Sequence, residues 1–351
     1  MHSSFTTEEY LLARFDAESR AMGLRASSPG ELAAWRDALR ERLRALIGLD
    51  TMRACPLSPR YDPPVPQDGY VRQRIVIDVE PGVAMPLFAL TPADLRPGER
   101  RPVVIAPHGH GGGGKAAVAG VDDDPAVKEA IARYNYAYGV QLVRAGYIVL
   151  CPDARGFGER RERVAREDGD PLGSSCRVLN NMAIPLGQTV TGMWVWDLMR
   201  LLDYAATRED CDPERIACAG LSGGGLQTLW LAALDERVRC AIVSGYFYGY
   251  KDALLRLSQN CSCNYVPGLW RLVDMGDLGA LIAPRPLLVE TGDSDPLNGE
   301  RGVANVTEQL DITRRAYRLL GAEERLAHSV FAGDHRWHGA DAVPWLRRWL
   351  S

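Results

Sequence analysis

Short apolar runs alternate with helical segments over most of the chain from residue 69 onward. The continuous apolar runs span 103–107, 147–153, 215–220, 239–245, 286–292 and 328–333. Helical periodicity fills the gaps between them, most clearly over 134–145, 188–207, 224–236 and 303–320. Buried strands alternating with helices predict an α/β fold: a mostly parallel sheet of about eight strands with helices on both faces.

The first part of the chain has a different pattern. Residues 28–31 (SPGE) have the form of a capping box, and apolar residues then recur at helical spacing as far as Gly48. A Pro-rich stretch follows, and residues 70–90 predict a β-hairpin around a Pro-Gly turn. The predicted organisation is a helical appendage (1–54), a linker (55–68) and a main domain (69–351).

Composition supports a globular protein. Of the 351 residues, 46% are hydrophobic and 25% are charged, which excludes disordered, collagen-like and coiled-coil chains. The net charge is −4, so no basic field favours nucleic acid or an anionic membrane surface. We expect neither of these partners.

Neither a leader nor a membrane span is predicted. The N-terminus lacks a basic region followed by an apolar run, and no stretch approaches the roughly 18 uninterrupted apolar residues of a membrane span. The eight cysteines are scattered without a CxxC pair, so we expect a cytoplasmic protein with reduced thiols. Homo-oligomerisation stays open.

The first chemical signal is a serine in a glycine-rich turn. The sequence from Gly220 to Gly224 reads G-L-S-G-G, follows a predicted strand and precedes a predicted helix. This is the context of a nucleophile elbow, whose tight turn needs small neighbours and presents the serine hydroxyl above the strand ends. Ser222 is therefore the candidate nucleophile, although a structural Gly-rich turn would have the same pattern.

A serine hydroxyl needs an adjacent imidazole to remove its proton. Three histidines follow Ser222 in the chain. His328 begins an apolar strand and is expected to pack or lie at an edge. His335 is preferred as the base because it is nearest the end of the last strand, whereas the alternate, His338, is expected to start the final helix.

The carboxylate that orients the imidazole should lie between the serine and the histidine at a strand end. The segment TGDSDP, residues 291–296, satisfies this condition. Asp295 is preferred because its Asp-Pro pair lies at the spacing typical of an acid loop in folds of this type. Asp293 is the alternate, and capping of the turn is the other role that its position allows.

The loop after the strand at 103–107 reads HGHGG and is a candidate oxyanion site. The backbone amide of Gly223 and that of His110, or alternatively Gly111, would bracket an acyl oxygen. The side chains of His108 and His110 are expected to shape the loop, and no proton transfer is assigned to them.

Two rival interpretations use the same region. Residues 109–115 fit the P-loop pattern G-x-x-x-x-G-K, but Ala116 replaces the hydroxyl residue that would hold Mg²⁺. A metal site begun by the two histidines, or by Cys261 and Cys263, lacks a second ligand pair at a standard spacing. We therefore expect no metal and no cofactor. A non-catalytic hydrolase-like binding protein is a third alternative.

Landmarks along nearly the whole chain resemble the α/β-hydrolase superfamily, and within it the bacterial group of acetyl xylan esterase and dienelactone hydrolase relatives. They are WRDALRERLRALIGL, APHGHGGGGK, CPDARGFGER, GLSGGG, CSCNYVPGL, LIAPRPLLVETGDSDP and FAGDHRWHG. One departure lies after the Asp-Pro pair, where many relatives have Phe-Pro or Val-Pro and this chain has Leu297-Asn298-Gly299.

The resemblance implies hydrolysis of a carboxylic ester through an acyl-enzyme, with a short acyl group such as acetyl on a sugar as the first expectation. Lactone or dienelactone hydrolysis and amide hydrolysis are the alternatives. Residues 246–281 are a candidate capping insertion. Its aromatic side chains, namely Tyr246, Tyr265 and Trp270, are either candidate pocket walls or simply the packing of the insertion.

Overall fold

A computed structural model of the chain describes residues 5–166, 169–256 and 260–350. The strands in this part of the chain are β1 (Arg60–Tyr61), β2 (Val65–Gln67), β3 (Tyr70–Glu80), β4 (Val83–Pro92), β5 (Arg101–Ile105), β6 (Ile148–Pro152), β7 (Cys211–Leu221), β8 (Val238–Ser244), β9 (Leu287–Gly292) and β10 (Leu326–Phe331). The helices are α1 (Glu8–Glu18), α2 (Pro29–Leu46), α3 (Lys115–Val118), α4 (Pro125–Tyr134), α5 (Tyr138–Arg144), α6 (Arg163–Arg166), α7 (Cys176–Ala183), α8 (Val190–Thr207), α9 (Gly223–Leu234), α10 (Leu269–Leu272), α11 (Met275–Ala280), α12 (Val303–Leu319) and α13 (Ala342–Leu350).

All of these strands join one sheet, in the order β1-β3-β4-β6-β5-β7-β8-β9-β10, with β2 paired to β3. Neighbouring strands in the order β6-β5-β7-β8-β9-β10 are parallel. Strands β3 and β4 form an antiparallel hairpin, and β4 pairs antiparallel with β6. The predicted fold class is therefore confirmed. In such a sheet the loops beyond the carboxyl ends of the parallel strands meet at one edge, where ligands bind.

The sheet separates two apolar cores because successive side chains of a strand point to opposite faces. On β5, Val103 and Ile105 belong to the larger core, and Val104 belongs to the smaller one. Helices α2, α8, α9, α11 and α12 cover the first face. The second face is covered by α3, α4, α5 and α13. Both faces are buried, which explains why these strands read as continuous apolar runs.

The N-terminal helical region packs into the larger core. Helix α2 starts at a cap, where the Ser28 hydroxyl accepts a hydrogen bond from the Glu31 amide at 3.3 Å. Its apolar stripe buries Leu32, Leu39 and Leu43 in the same cluster as the sheet residues. The stretch predicted as a linker contributes β1 and β2, which pair antiparallel with β3. The boundaries 1–54, 55–68 and 69–351 stay a prediction.

None of the helices described is long and apolar enough to cross a membrane.

Because α2 packs into the larger core, we expect it to unfold together with the sheet in one cooperative transition. Leu39 is fully buried, so Leu39→Ala should lower the free energy of unfolding by about 2–5 kcal/mol through lost apolar burial and the cavity left behind. Arg42→Ala, on the exposed side of the same helix, should change it by less than about 0.5 kcal/mol. Urea unfolding followed by fluorescence and circular dichroism would measure both. Separate transitions for the two probes would contradict the shared core.

Candidate active site

Ser222 lies in a strained turn between β7, which ends at Leu221, and α9, which begins at Gly223. Its backbone has φ +60° and ψ −119°, a region that a residue with a Cβ occupies at a cost of about 1–3 kcal/mol. The surroundings hold the turn in place, because the Ser222 amide donates a 2.8 Å hydrogen bond to the carbonyl of Ser244 at the end of β8. The serine is half-buried at the carboxyl edge of the sheet.

The turn needs glycines because backbone from the loop after β5 lies directly against it. A Cβ at Gly224 would collide with the carbonyl of Pro107, and one at Gly109 would lie 2.9 Å from the Gly223 nitrogen. A Cβ at Gly220 would lie 2.5 Å from the Gly224 carbonyl carbon. The small residues of the G-L-S-G-G sequence therefore permit a close approach of the two loops.

The structure brings His335 and Asp295 together. Asp295 follows β9, and its Oδ2 accepts a 2.7 Å hydrogen bond from Nδ1 of His335, in the loop after β10. The Asp295 side chain is 1% exposed, and its Oδ1 accepts a second hydrogen bond from the Leu297 amide at 2.9 Å. Both bonds fix the carboxylate, and the first one places the neutral imidazole's proton on Nδ1.

The imidazole lies beside the serine turn. A Cβ at Gly245 would be 2.9 Å from Cε1 of His335. Gly245 directly follows Ser244, the residue whose carbonyl holds the Ser222 amide. The hydroxyl, the imidazole and the carboxylate thus share the edge formed by the ends of β7, β8 and β9. This edge is therefore the candidate site for a nucleophile, a base and an orienting acid.

The alternate residues have other surroundings. The exposed Asp293 caps the turn, since its Oδ1 accepts hydrogen bonds from the Gly333 amide at 3.0 Å and the Ser294 hydroxyl at 2.8 Å. The exposed His338 stacks on Phe331 with ring centroids 4.6 Å apart. It does not start the last helix, which begins four residues later at Ala342.

His328 lies on β10, as expected for a packed strand residue. Its Nε2 pairs with the hydroxyl of Thr291 at 3.0 Å. Burial lowers the pKa of this imidazole to about 4. At neutral pH His328 is therefore an uncharged member of the strand.

The candidate oxyanion donors lie where the two loops meet. Gly223 is the first residue of α9, so its N–H has no acceptor within the helix. No described residue accepts a hydrogen bond from the N–H of His110 or of Gly111, so either can supply the second donor. A side chain outside the loop also contacts it: the Tyr136 hydroxyl donates a 3.0 Å hydrogen bond to the His110 carbonyl.

The side chain of His108 supports this loop. It is buried, and its Nε2 accepts a 3.0 Å hydrogen bond from the Ala154 amide while Nδ1 pairs with the Gly109 carbonyl. Burial lowers its pKa, so the ring is neutral. These contacts fit the expectation that His108 shapes the loop.

Comparison with known proteins identifies the family. A model described as "Abhydrolase family" matches residues 22–344. The chain belongs to this family. The chain is also 30% identical over 260 residues to "Putative hydrolase YtaP" of Bacillus subtilis strain 168, covering 71% of this chain and 79% of that protein. The predicted membership of the α/β-hydrolase superfamily is confirmed, and the chain is a hydrolase.

Solved structures share the fold of this abhydrolase. A crystal structure titled a "putative acetyl xylan esterase" from Bacteroides fragilis NCTC 9343 has a TM-score of 0.79 at 17% identity and covers 99% of this chain and 95% of that chain. A CE15 glucuronoyl esterase from Teredinibacter turnerae T7901 has a TM-score of 0.65 at 18% identity, with 94% of this chain and 88% of that chain covered.

The aromatic residues of the insertion separate into two groups. Tyr246 is buried beside α9, and its hydroxyl donates a 2.7 Å hydrogen bond to Oδ1 of Asn264. Tyr265 and Trp270 line a groove of about 360 Å³ together with Phe15 of α1. The described lining of that groove includes none of the three candidate catalytic side chains. A role of these aromatics as substrate walls stays a prediction.

Three charged residues near the edge, Lys115, Asp153 and Arg155, are paired within the abhydrolase. Nζ of Lys115 contacts the carboxylates of Asp153 at 2.7 Å and Glu159 at 2.5 Å. The lysine is thus engaged by acids and does not extend toward a phosphate, as a P-loop lysine would. Arg155 pairs with Asp197 at 2.8 Å. Both Asp153 and Arg155 therefore serve structural ion pairs.

Glu290 is a buried residue of the site that the sequence did not indicate. It lies on β9 opposite Ser244, and its Oε1 accepts a 2.9 Å hydrogen bond from the Gly339 amide of the histidine loop. Its Oε2 and the Ser244 hydroxyl have no hydrogen-bond partner of standard geometry among the described residues. Burial raises the pKa of Glu290 to about 7.

Glu290 predicts a specific pH dependence of stability. Because its pKa is raised, the folded protein holds a proton that the unfolded chain releases, so this carboxyl lowers stability as the pH rises from about 4.5 to about 7. Glu290→Gln keeps the acceptor for Gly339 and cannot ionise. Its free energy of unfolding relative to wild type should rise across that window by up to about 3 kcal/mol and then level off.

Urea unfolding at a series of pH values would measure this difference. Glu300→Gln, at an exposed position, is the matched control and should give a curve parallel to that of wild type. A Glu290→Gln curve that also runs parallel to wild type would contradict the assignment.

Proposed function

We propose that this abhydrolase is a serine ester hydrolase that acts through an acyl-enzyme, with Ser222, His335 and Asp295 as its catalytic residues. The proposal depends on one observation: the imidazole that Asp295 holds lies against Gly245, beside the strained turn that carries Ser222. The family assignment supports hydrolysis, and the esterases among the structural neighbours favour ester bonds.

The hydrogen bond to Asp295 determines the direction of proton transfer. With its proton on Nδ1, the neutral imidazole of His335 has an unprotonated Nε2 that takes the Ser222 proton as the hydroxyl attacks the acyl carbon. The resulting imidazolium is stabilised by the Asp295 carboxylate and gives the proton to the leaving alcohol. A water molecule then attacks the acyl-enzyme with the same imidazole as base, which releases the acid and restores Ser222.

The amides of Gly223 and His110 stabilise the oxyanion of both tetrahedral intermediates, with Gly111 as the alternate second donor. Such a donor is worth about 3 kcal/mol in the transition state. Because the two loops are packed backbone against backbone, the donors are fixed before the substrate arrives and need no reorganisation.

We propose a short acyl group, acetyl on a carbohydrate, as the substrate class. Neighbours named as acetyl xylan esterases, including one from Paenibacillus sp. R4, support this choice. The glucuronoyl esterases among the neighbours cleave, by their name, an ester with a sugar acid as the acyl part. Lactones, amides and glucuronate esters are therefore the alternatives that a substrate panel must include.

If Ser222 is the nucleophile, activity depends on its hydroxyl. Against nitrophenyl esters of increasing chain length, we expect kcat/KM to be highest for acetate and to decline with longer acyl chains. Ser222→Ala should lower kcat by several orders of magnitude with an unchanged far-ultraviolet spectrum. The same panel run on acetylated xylan, a glucuronate methyl ester and a lactone would identify the class. Wild-type turnover in the mutant would refute the mechanism.

The acid loop predicts a contrast between two neighbouring aspartates. Asp295→Asn should lower kcat by about 10⁴, because the amide no longer holds the imidazole in the reactive tautomer. Asp293→Asn removes an exposed turn cap and should change kcat by less than about tenfold. His335→Ala and His338→Ala form the parallel pair, with the large loss at His335. Steady-state kinetics on the acetate ester would measure all four. Larger losses at Asp293 and His338 would reverse the assignment.

A further inference from the structure

A cluster of sulfur and nitrogen ligands lies beside the candidate oxyanion loop, and none of its side chains has a part in the proposed mechanism. Nε2 of His110 lies 3.7 Å from Sγ of Cys263. The ligand atoms of His110, Cys261 and Cys263 all lie within 4.8 Å of one another. The thiol of Cys176 lies close enough to the other two thiols to interact with them electrostatically. Two thiols and one imidazole thus converge on one point, and a third thiol lies next to them.

One distance in the cluster is close to that of a tetrahedral metal site. Zinc lies about 2.3 Å from a thiolate sulfur and about 2.0 Å from an imidazole nitrogen, so neighbouring ligand atoms are about 3.5 Å apart for a nitrogen and a sulfur and about 3.8 Å apart for two sulfurs. The distance of 3.7 Å between Nε2 of His110 and Sγ of Cys263 lies between these values. A set of three cysteines and one histidine is one of the ligand sets of structural zinc.

Hydrogen bonds hold the segment that carries two of the ligands. Nδ2 of Asn264 donates to the Cys261 carbonyl at 3.1 Å and lies 3.6 Å from Sγ of Cys263. The Thr191 hydroxyl donates to the Cys263 carbonyl at 2.6 Å. The two thiols are therefore placed by their surroundings, and one receives an N–H contact of the kind that orients and stabilises metal thiolates.

The burial of the cluster also fits a metal. Cys176 and Cys263 are buried, while Cys261 and His110 are half-buried, so an ion can reach the ligands from the solvent side. Cys176 is the first residue of α7, where the helix dipole favours a negatively charged sulfur.

We propose that His110, Cys261 and Cys263 bind a structural zinc ion, with the neighbouring Cys176 as the fourth ligand. Four protein ligands close the coordination sphere, so the ion carries no reactive water, and its binding displaces the thiol protons. The site would join three parts of the chain: the loop after β5, the start of α7 and the insertion after β8. It does not depend on the proposed esterase function.

Metal content tests the proposal directly. Wild-type protein expressed with zinc in the medium and purified under reducing conditions should carry one zinc per chain by elemental analysis. Cys261→Ser and Cys263→Ser should each lose most of it. Cys218→Ser is the matched control, because this buried thiol lies on β7 and pairs with the Thr228 hydroxyl at 3.3 Å; it should retain the zinc. Co²⁺ in place of zinc should give thiolate charge-transfer bands in wild type and Cys218→Ser only.

A second measurement uses only the wild-type protein, so it tests the proposal even if the variants fail to fold. After chelation, native-state alkylation followed by peptide mass spectrometry should label Cys176, Cys261 and Cys263 faster than in the zinc-loaded protein, with no change at the other five cysteines. Two results would overturn the proposal. One is a fully reduced protein that takes up neither Zn²⁺ nor Co²⁺. The other is a disulfide within the cluster in protein whose thiols were blocked at lysis.

Discussion

The candidate site depends on the close approach of two loops at the carboxyl edge of the sheet. Backbone atoms of residues 107–109 lie so near the turn after β7 that a Cβ at Gly109 would overlap the Leu221 carbonyl and one at Gly224 would overlap the Pro107 carbonyl. This contact keeps Ser222 in its positive-φ conformation and sets the Gly223 amide beside the loop that carries His110. The strain of the turn is thus maintained by the packed sheet, since β5, β7 and β8 hold both loops in register.

Much of the fold could be predicted from the sequence because burial on both faces leaves a strong signal. The strands from β5 to β10 are continuous apolar runs, and all of them appear within a few residues of the predicted bounds. Among the helices that the pattern did not predict, α4 is the longest. The carboxylate of Asp124 caps this helix by accepting a hydrogen bond from the Ala126 amide at 2.8 Å. The helix is short and amphipathic and lies among polar residues, a pattern that is typical of a loop.

The order of the candidate catalytic residues along the chain could also be predicted, because each one follows a strand whose position the pattern indicates. The contacts between their side chains could not be predicted. That Asp293 caps a turn while Asp295 meets His335 follows from the direction in which the chain leaves β9, and neighbouring aspartates in one loop do not differ in sequence pattern. Likewise, the sequence showed Cys261 and Cys263 as one possible ligand pair and His110 in another, but it could not show that they meet, because the two segments lie far apart in the chain.

The two buried carboxyl groups of β9 and its loop hold the histidine loop by different contacts. Asp295 accepts hydrogen bonds from the His335 imidazole and from the Leu297 amide, so both of its oxygens are engaged. Glu290 lies opposite Ser244 and accepts a hydrogen bond from the Gly339 amide, and burial raises its pKa to about 7. Near neutral pH Glu290 is therefore about half protonated, whereas a carboxyl group in water would be ionised. Its ionisation lowers stability as the pH rises, because the charge forms in a buried position. The end of β9 thus supports the loop of the proposed base through a contact whose energetic cost depends on pH.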